Sequence, residues 1–264
     1  MRKLSLVMLT LIVALSFVAC KIDTPSTPGG GVVDAIRPDG TIDVPNPTGE
    51  LPKEDFDSVN ASMEELYQVV PEWTQLRTQM SVYDAEGDRI AACEIAAGSE
   101  YTDFEIYKTL EGMSFFTEGV KFRIQRSGVP DGTPTITVFD GRPFDSYSEE
   151  EQQAINAEYS ELAALVNNTE QNRSVTTSYY NGVATLESGQ IITTARTEIV
   201  SDGPDGFMTA VSYEFNPLLD GMKEVVVYTY MVEHERRTTF EIVGGQHAGV
   251  YDVTDFMNSG QPQG

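Results

Sequence analysis

Apolar and polar residues alternate along most of the chain. Val120, Phe122 and Ile124 alternate with Lys121, Arg123 and Gln125, and Phe207, Val211, Tyr213 and Phe215 share one strand face while Ser212 and Glu214 share the other. A period of two marks a strand with one buried face. Residues 190–200, 224–233 and 238–243 are rich in Val, Ile, Thr and Tyr and extend the pattern. Turn dipeptides punctuate it: Glu86-Gly87, Asp131-Gly132, Asp140-Gly141, Asn181-Gly182, Ser188-Gly189, Asp202-Gly203, Asp205-Gly206 and Asp220-Gly221. Such pairs tolerate positive φ and favour tight hairpins. The spacing leaves no room for crossover helices, so an antiparallel meander of about ten strands is expected.

Two stretches have helical spacing instead. Over 58–70, Ser58 can cap, Val59, Met63, Leu66, Tyr67 and Val70 recur on one face, and Pro71 stops the helix. In the second, Ser148 and Glu151 form a capping box, Glu149 and Glu150 complement the dipole, and Ile155, Tyr159, Leu162 and Val166 form the apolar face. Asn167 and Asn168 end it. Each amphipathic helix must lie on something apolar. The layout, a helix and a meander of about five strands given twice, hints at duplication without a repeat at the level of residues.

A sheet of ten strands curls, splits or closes. The fold class expected is therefore mainly β (α+β), a curved antiparallel meander forming a half-barrel or barrel with two helices packed on it. The inside of such a shape is a natural apolar cavity.

Before residue 53 the pattern changes. Met1-Arg2-Lys3 precedes an apolar run from Leu4 to Val18, broken by Ser5, Thr10 and Ser16. A positive start, a short apolar core and small residues at the cut make a secretory signal, and the run is short for a spanning helix. Phe17-Val18-Ala19-Cys20 resembles the lipobox of bacterial lipoproteins, with Phe17 where that family prefers Leu. The alternative is an ordinary signal cut near Ala19. The resemblance implies cleavage before Cys20, diacylglyceryl on its sulfur and a further acyl chain on its amino group. Two chains anchor a protein stably where one does not. Lys21 is not the Asp that marks inner-membrane retention in enteric bacteria, which favours the outer membrane. Residues 21–52 hold six prolines and Gly29-Gly30-Gly31 without an apolar period, and read as a tether spanning roughly 30 Å. The domains expected are a signal peptide over 1–19, lipidated Cys20 with a Pro/Gly-rich tether over 20–52, and one β-rich domain over 53–264.

Charge narrows the partners. The net charge is −24 from 17 basic and 41 acidic residues. Loss of Arg2 and Lys3 with the signal leaves 15 basic residues and a charge of −26. That excludes nucleic acid, which needs clustered Lys and Arg, and a polybasic grip on anionic lipid. With Cys20 lipidated, Cys93 has no disulfide partner, and a domain this large can build its core without one.

Catalytic and metal signatures are weak. Asp84, Glu86 and Asp88 are spaced like the start of an EF-hand loop, but Arg89 and Ile95 stand where Gly and Glu are required, and a hairpin turn is the better reading. His234, flanked by Glu233 and Glu235 on an expected strand, lacks a second His four residues on, and His247 lies in a glycine-rich loop. A His pair, a Cys93–His pair or a Glu233–Glu235 acid–base pair would each need the fold to assemble it. Cys93 follows Ile90-Ala91-Ala92 and reads as a small core hydrophobe. Tyr179, Tyr180, Tyr213, Tyr228 and Tyr230 could line a sugar groove, though strand aromatics are more often cross-strand partners. No metal, cofactor or catalytic residue is assigned.

The order of elements over roughly residues 55–255, with the hairpin Val138-Phe139-Asp140-Gly141 and the inserted helix, resembles the periplasmic lipoprotein-carrier (Lol-type) half-barrels. That resemblance implies a cavity for acyl chains or other hydrophobic cargo, and transfers no residue. Three functions follow as expectations: a structural or interaction lipoprotein of the envelope, a carrier of lipid or another apolar ligand, and a hydrolytic enzyme.

Overall fold

The computed structural model describes residues 36–69, 73–126, 134–185, 187–203, 207–219 and 221–259. In chain order these form α1 (Lys53–Val69), β1 (Thr74–Tyr83), β2 (Arg89–Ala96), β3 (Tyr101–Ile106), β4 (Lys121–Gln125), β5 (Thr135–Phe139), β6 (Arg142–Pro143), α2 (Glu149–Val166), β7 (Arg173–Thr185), β8 (Ile191–Asp202), β9 (Met208–Leu219), β10 (Met222–Val232), β11 (Glu235–Gly244), β12 (Gly249–Asp252) and α3 (Thr254–Ser259). All twelve strands join one antiparallel sheet in the order β12-β11-β10-β9-β8-β7-β1-β2-β3-β4-β5-β6. Two six-strand meanders run outward from the central β1–β7 ladder, and the sheet stays open. At its lower end β1, β8 and β10 finish and β2, β7, β9 and β11 begin.

The helices form where capping and periodicity place them. Ser148 caps α2 with both bonds of the capping box present. α1 begins just after Pro52, five residues before Ser58, because Pro is well tolerated at a helix start. Each helix covers the half of the sheet that it does not precede. Ile155, Leu162 and Val166 of α2 pack with Val82, Ile90, Phe104, Phe122, Ile124 and Phe139 of the first meander. Phe56, Val59, Met63 and Leu66 of α1 pack with Ile192, Phe215, Val225, Phe240 and Ile242 of the second.

The reverse face carries a third cluster. Tyr83, Val175, Ile199, Ala210, Val226 and Tyr228 pack there with Ile42, flanked by Ile36 and Val44. Part of the expected tether is therefore a strap. A bridge joins Ile36 to Ile42, Gly40 at φ +78° lies against the Tyr83 ring, and Thr48 N donates to Val250 O at 2.8 Å. Gly49 then bridges to Tyr251 on the edge strand β12. Isolated apolar residues suffice here because the sheet supplies the rest of the contact surface, so an absent period did not mean an absent core.

Two turn assignments change. Asn181-Gly182 lies inside β7, with Gly182 opposite Thr194, and the hairpin closes instead near Ser188-Gly189, where Gly189 has φ +81°. The dipeptide permits a turn without requiring one, and the longer ladder wins. Conversely Glu233 and His234, expected in a strand, form the two-residue turn between β10 and β11 at φ +49° and +71°. Val232 pairs with Glu235, so the shortest connection needs both residues left-handed. The dipeptides Asp131-Gly132 and Asp205-Gly206 lie outside the described residues.

Candidate functional site

The central strands carry polar groups on both faces. On the helix face, between the two covered cores, Thr78 and Ser178 hydroxyls lie 3.0 Å apart. Arg196 donates from Nη2 to Glu198 Oε2 at 2.5 Å, and its guanidinium lies 5.1 Å from the Tyr180 ring centroid and 5.9 Å from that of Tyr213.

On the strap face a polar lane crosses seven strands. Register sets it: Arg77 is opposite Tyr179, Gln79 opposite Glu94, Tyr179 opposite Thr197, Thr197 opposite Ser212, and Glu214 opposite Glu224. Arg77 stacks on Tyr179 at 4.4 Å and lies 3.8 Å from buried Glu94. Gln79 donates to Glu94 at 2.5 Å and accepts from the Tyr179 hydroxyl at 3.1 Å. Further along, Ser212 Oγ donates to Glu224 Oε1 at 2.5 Å, and Tyr228 donates to Glu241 Oε2 at 2.9 Å.

Burial raises the Glu224 carboxyl above the usual range, with Glu214 and Glu241 adding to the rise and Ser212 opposing it. Burial alone raises Glu214. Tyr228 is raised strongly by burial and then by Glu241. Glu94, Glu224 and Glu241 each accept from a side chain of the same sheet, and Glu214 and Glu224 are pushed toward the neutral form, so the lane ties strands together. Its alternating acids were visible in the sequence; their alignment across strands needed the register.

The candidates from the sequence are dispersed. His234 is in the β10–β11 turn, while His247 lies beyond the other end of β11, with Nδ1 3.8 Å from Asp55 Oδ2. Ten residues of strand, roughly 30 Å, separate them. Cys93 is buried in β2 opposite Met80, six ladders from β11. Glu233, as a turn residue, makes no strand-face pair with Glu235, which instead accepts from Arg237 at 2.7 Å. Asp84 is a turn acceptor: Lys108 bonds both Asp84 and Asp88, at 2.5 and 2.8 Å. The tyrosines divide between faces, Tyr180 and Tyr213 beside Arg196 and Tyr179 and Tyr228 in the lane, so they line no common groove. Among the described residues no three His, Cys, Asp or Glu side chains group to hold a metal ion, and no helix is long and apolar enough to cross a membrane. Cys20 lies outside the described residues.

Comparison with protein-family models, with curated proteins and with solved structures gives no match.

Proposed function

We propose that this is a lipid-anchored cell-envelope protein, held through Cys20 and favouring the outer membrane, whose β-domain is a non-catalytic structural or interaction module. One observation carries the choice of module over carrier: the large apolar side chains in the middle of the sheet are already occupied by the chain's own elements, and the exposed ones, such as Leu76, Val183, Ile191, Met231 and Val232, stand near strand ends. Phe104, Phe116, Phe122 and Phe139 pack under α2, Phe240 and Ile242 under α1, and Ile199 and Val226 under the strap. A carrier of apolar cargo keeps such residues uncovered. The dispersal of Cys93, His234 and His247 supports a module over a hydrolase, since acid–base work needs groups within hydrogen-bond reach.

Two measurements test this reading. Palmitate labelling in a bacterial host is expected for the wild type and lost in Cys20→Ser; labelling that persists overturns the anchor. Native mass spectrometry of the mature chain carrying Cys20→Ser is expected to give a lipid-free mass. A stoichiometric lipid adduct would turn the reading toward the carrier.

A further inference from the structure

The strap lies on the sheet without joining its ladders. Its pairings are isolated bridges, Ile36 with Ile42 inside the strap and Gly49 with Tyr251 on β12. By contrast β7 and β8 pair without a break from Ser174 to Thr185. Ile42 is the strap's buried side chain, 5% exposed, with Ile36 and Val44 partly buried beside it. Ser201 Oγ donates to Gly40 O at 3.3 Å toward one end, and Thr48 N donates to Val250 O at 2.8 Å toward the other. The bonds of Arg37 with Asp43 and of Asp39 with Thr41 stay within the strap, so they keep its turn and add no grip on the sheet. A segment with few buried apolar contacts opens more readily than the ladders beneath it.

The strap has a definite end. Leu51 is buried, and Phe56, five residues on, packs against Phe240 and Phe256. A pull on the chain before Ile36 therefore meets the holds in turn. The Ile36–Ile42 bridge and Gly40 are loaded first, Thr48 and Gly49 last, and the core under α1 stops the movement.

We propose that residues 36–50 are a releasable length of tether, docked on the sheet at rest and peeled as far as Leu51 by load on the N-terminal segment. The load rests on the lipid-anchored reading above, in which the chain is held at Cys20. With the strap docked, the chain from Cys20 to Ile36 spans at most about 55 Å; with it released, the chain from Cys20 to Leu51 spans up to about 110 Å. Release also bares Val175, Ile199, Ala210, Val226 and Tyr228, which lie under the strap. One movement thus lengthens the tether and opens an apolar face, so the domain at full reach presents a different surface from the domain at rest.

The test pulls on the unlipidated mature chain between DNA handles on Cys20 and on Ser188→Cys in the β7–β8 turn, with Cys93→Ala to leave only those two thiols. An optical trap is expected to record a reversible lengthening of up to about 50 Å at a force below that of the cooperative unfolding. Ile42→Ala is expected to lower the force of this first step or remove it, and to leave the later unfolding in place. Unfolding of the wild type in a single step overturns the release, as does a first step that Ile42→Ala does not move. A first step well beyond about 50 Å, with α1 coming away too, overturns the stop at Leu51. None of these outcomes depends on lipid. Palmitate labelling that persists in Cys20→Ser overturns the anchor, and with it the source of the load, while the step in the trap stands.

Discussion

Under α2 the core is built of rings. Phe104 stacks on Phe122 at 4.1 Å, and Phe116 meets Phe122 and Phe139 edge-on at 5.0 and 5.1 Å. Under α1 fewer ring pairs touch among the described residues: Phe56 meets Phe240 at 5.6 Å and Phe256 at 5.0 Å, while Tyr213 and Phe215 share that core with aliphatic side chains. The carboxylates differ in the same sense. In the first half, burial would raise Glu158, yet donors from Ser114, Phe115 and Phe116 outweigh it and hold it below the usual range. Asp84 is likewise pressed up by burial and pulled below it by Lys108 and turn amides. In the second half Glu214 and Glu224 are raised. The first half holds these two carboxylates ionised with donors; the second buries two that favour the neutral form.

The largest expected effect breaks the aromatic side of this contrast. Phe116 is fully buried at the meeting point of three rings. Phe116→Ala is expected to cost about 3–5 kcal/mol in urea unfolding. A loss no greater than about 1 kcal/mol, the average for any point change, would mean that the cluster is not the keystone of its half.

Next comes Glu158, which accepts from Ser114 N and Oγ at 2.8 and 2.6 Å and from Phe115 N and Phe116 N at 2.8 and 3.2 Å. Glu158→Ala removes the partner of the Phe115 and Phe116 amides, while the exposed Ser114 donors can turn to water, and is expected to cost about 1–2 kcal/mol. Because the folded pKa is lowered, this contribution is present above the unfolded value near 4.3 and is lost as pH falls through the folded one. Hydrogen exchange should localise the effect to residues 114–116.

The smallest effect has the opposite sign. Glu224 has a raised folded pKa, so its stabilisation is full below the unfolded value and is lost as pH rises through the folded value. Glu224→Gln is expected to gain about 1 kcal/mol at pH 8 and to lose that advantage near pH 4. A destabilisation at pH 8 would show that the ionised carboxylate, through Ser212, is wanted. Together the three sharpen the comparison, since acid should loosen the first half and relieve the second.

Local patterns made much of this legible. Alternation and composition located β4 and the strands from β8 to β11, though not β1 or the full length of β7, and Ser148 with Glu151 located the start of α2. The antiparallel meander followed from turn spacing; that the sheet stays open, when a half-barrel or barrel had both been expected, came from the structure. Three things did not follow. The strap was hidden because Ile36, Ile42 and Val44 are too few to show a period and owe their burial to the sheet. The polar lane was hidden because a strand's sequence says which face a residue takes and not which residue stands across from it. The turn at Glu233-His234 was hidden because Glu-His is none of the Gly-containing pairs that mark a two-residue hairpin turn, and the flanking ladder imposes it.

The exchange of helices between halves has a consequence in time. α1 is the first element of the domain to leave the ribosome or the export channel, yet Phe56 closes on Phe240 and Phe256, near the last. At synthesis rates of about 5–20 residues per second, on the order of ten seconds or more separate the helix from its floor. During that interval its apolar face has no native cover. Contacts so distant in sequence also slow folding. The domain should therefore mature late and all at once, and truncated chains ending before β11 should be the ones that holding chaperones and proteases find.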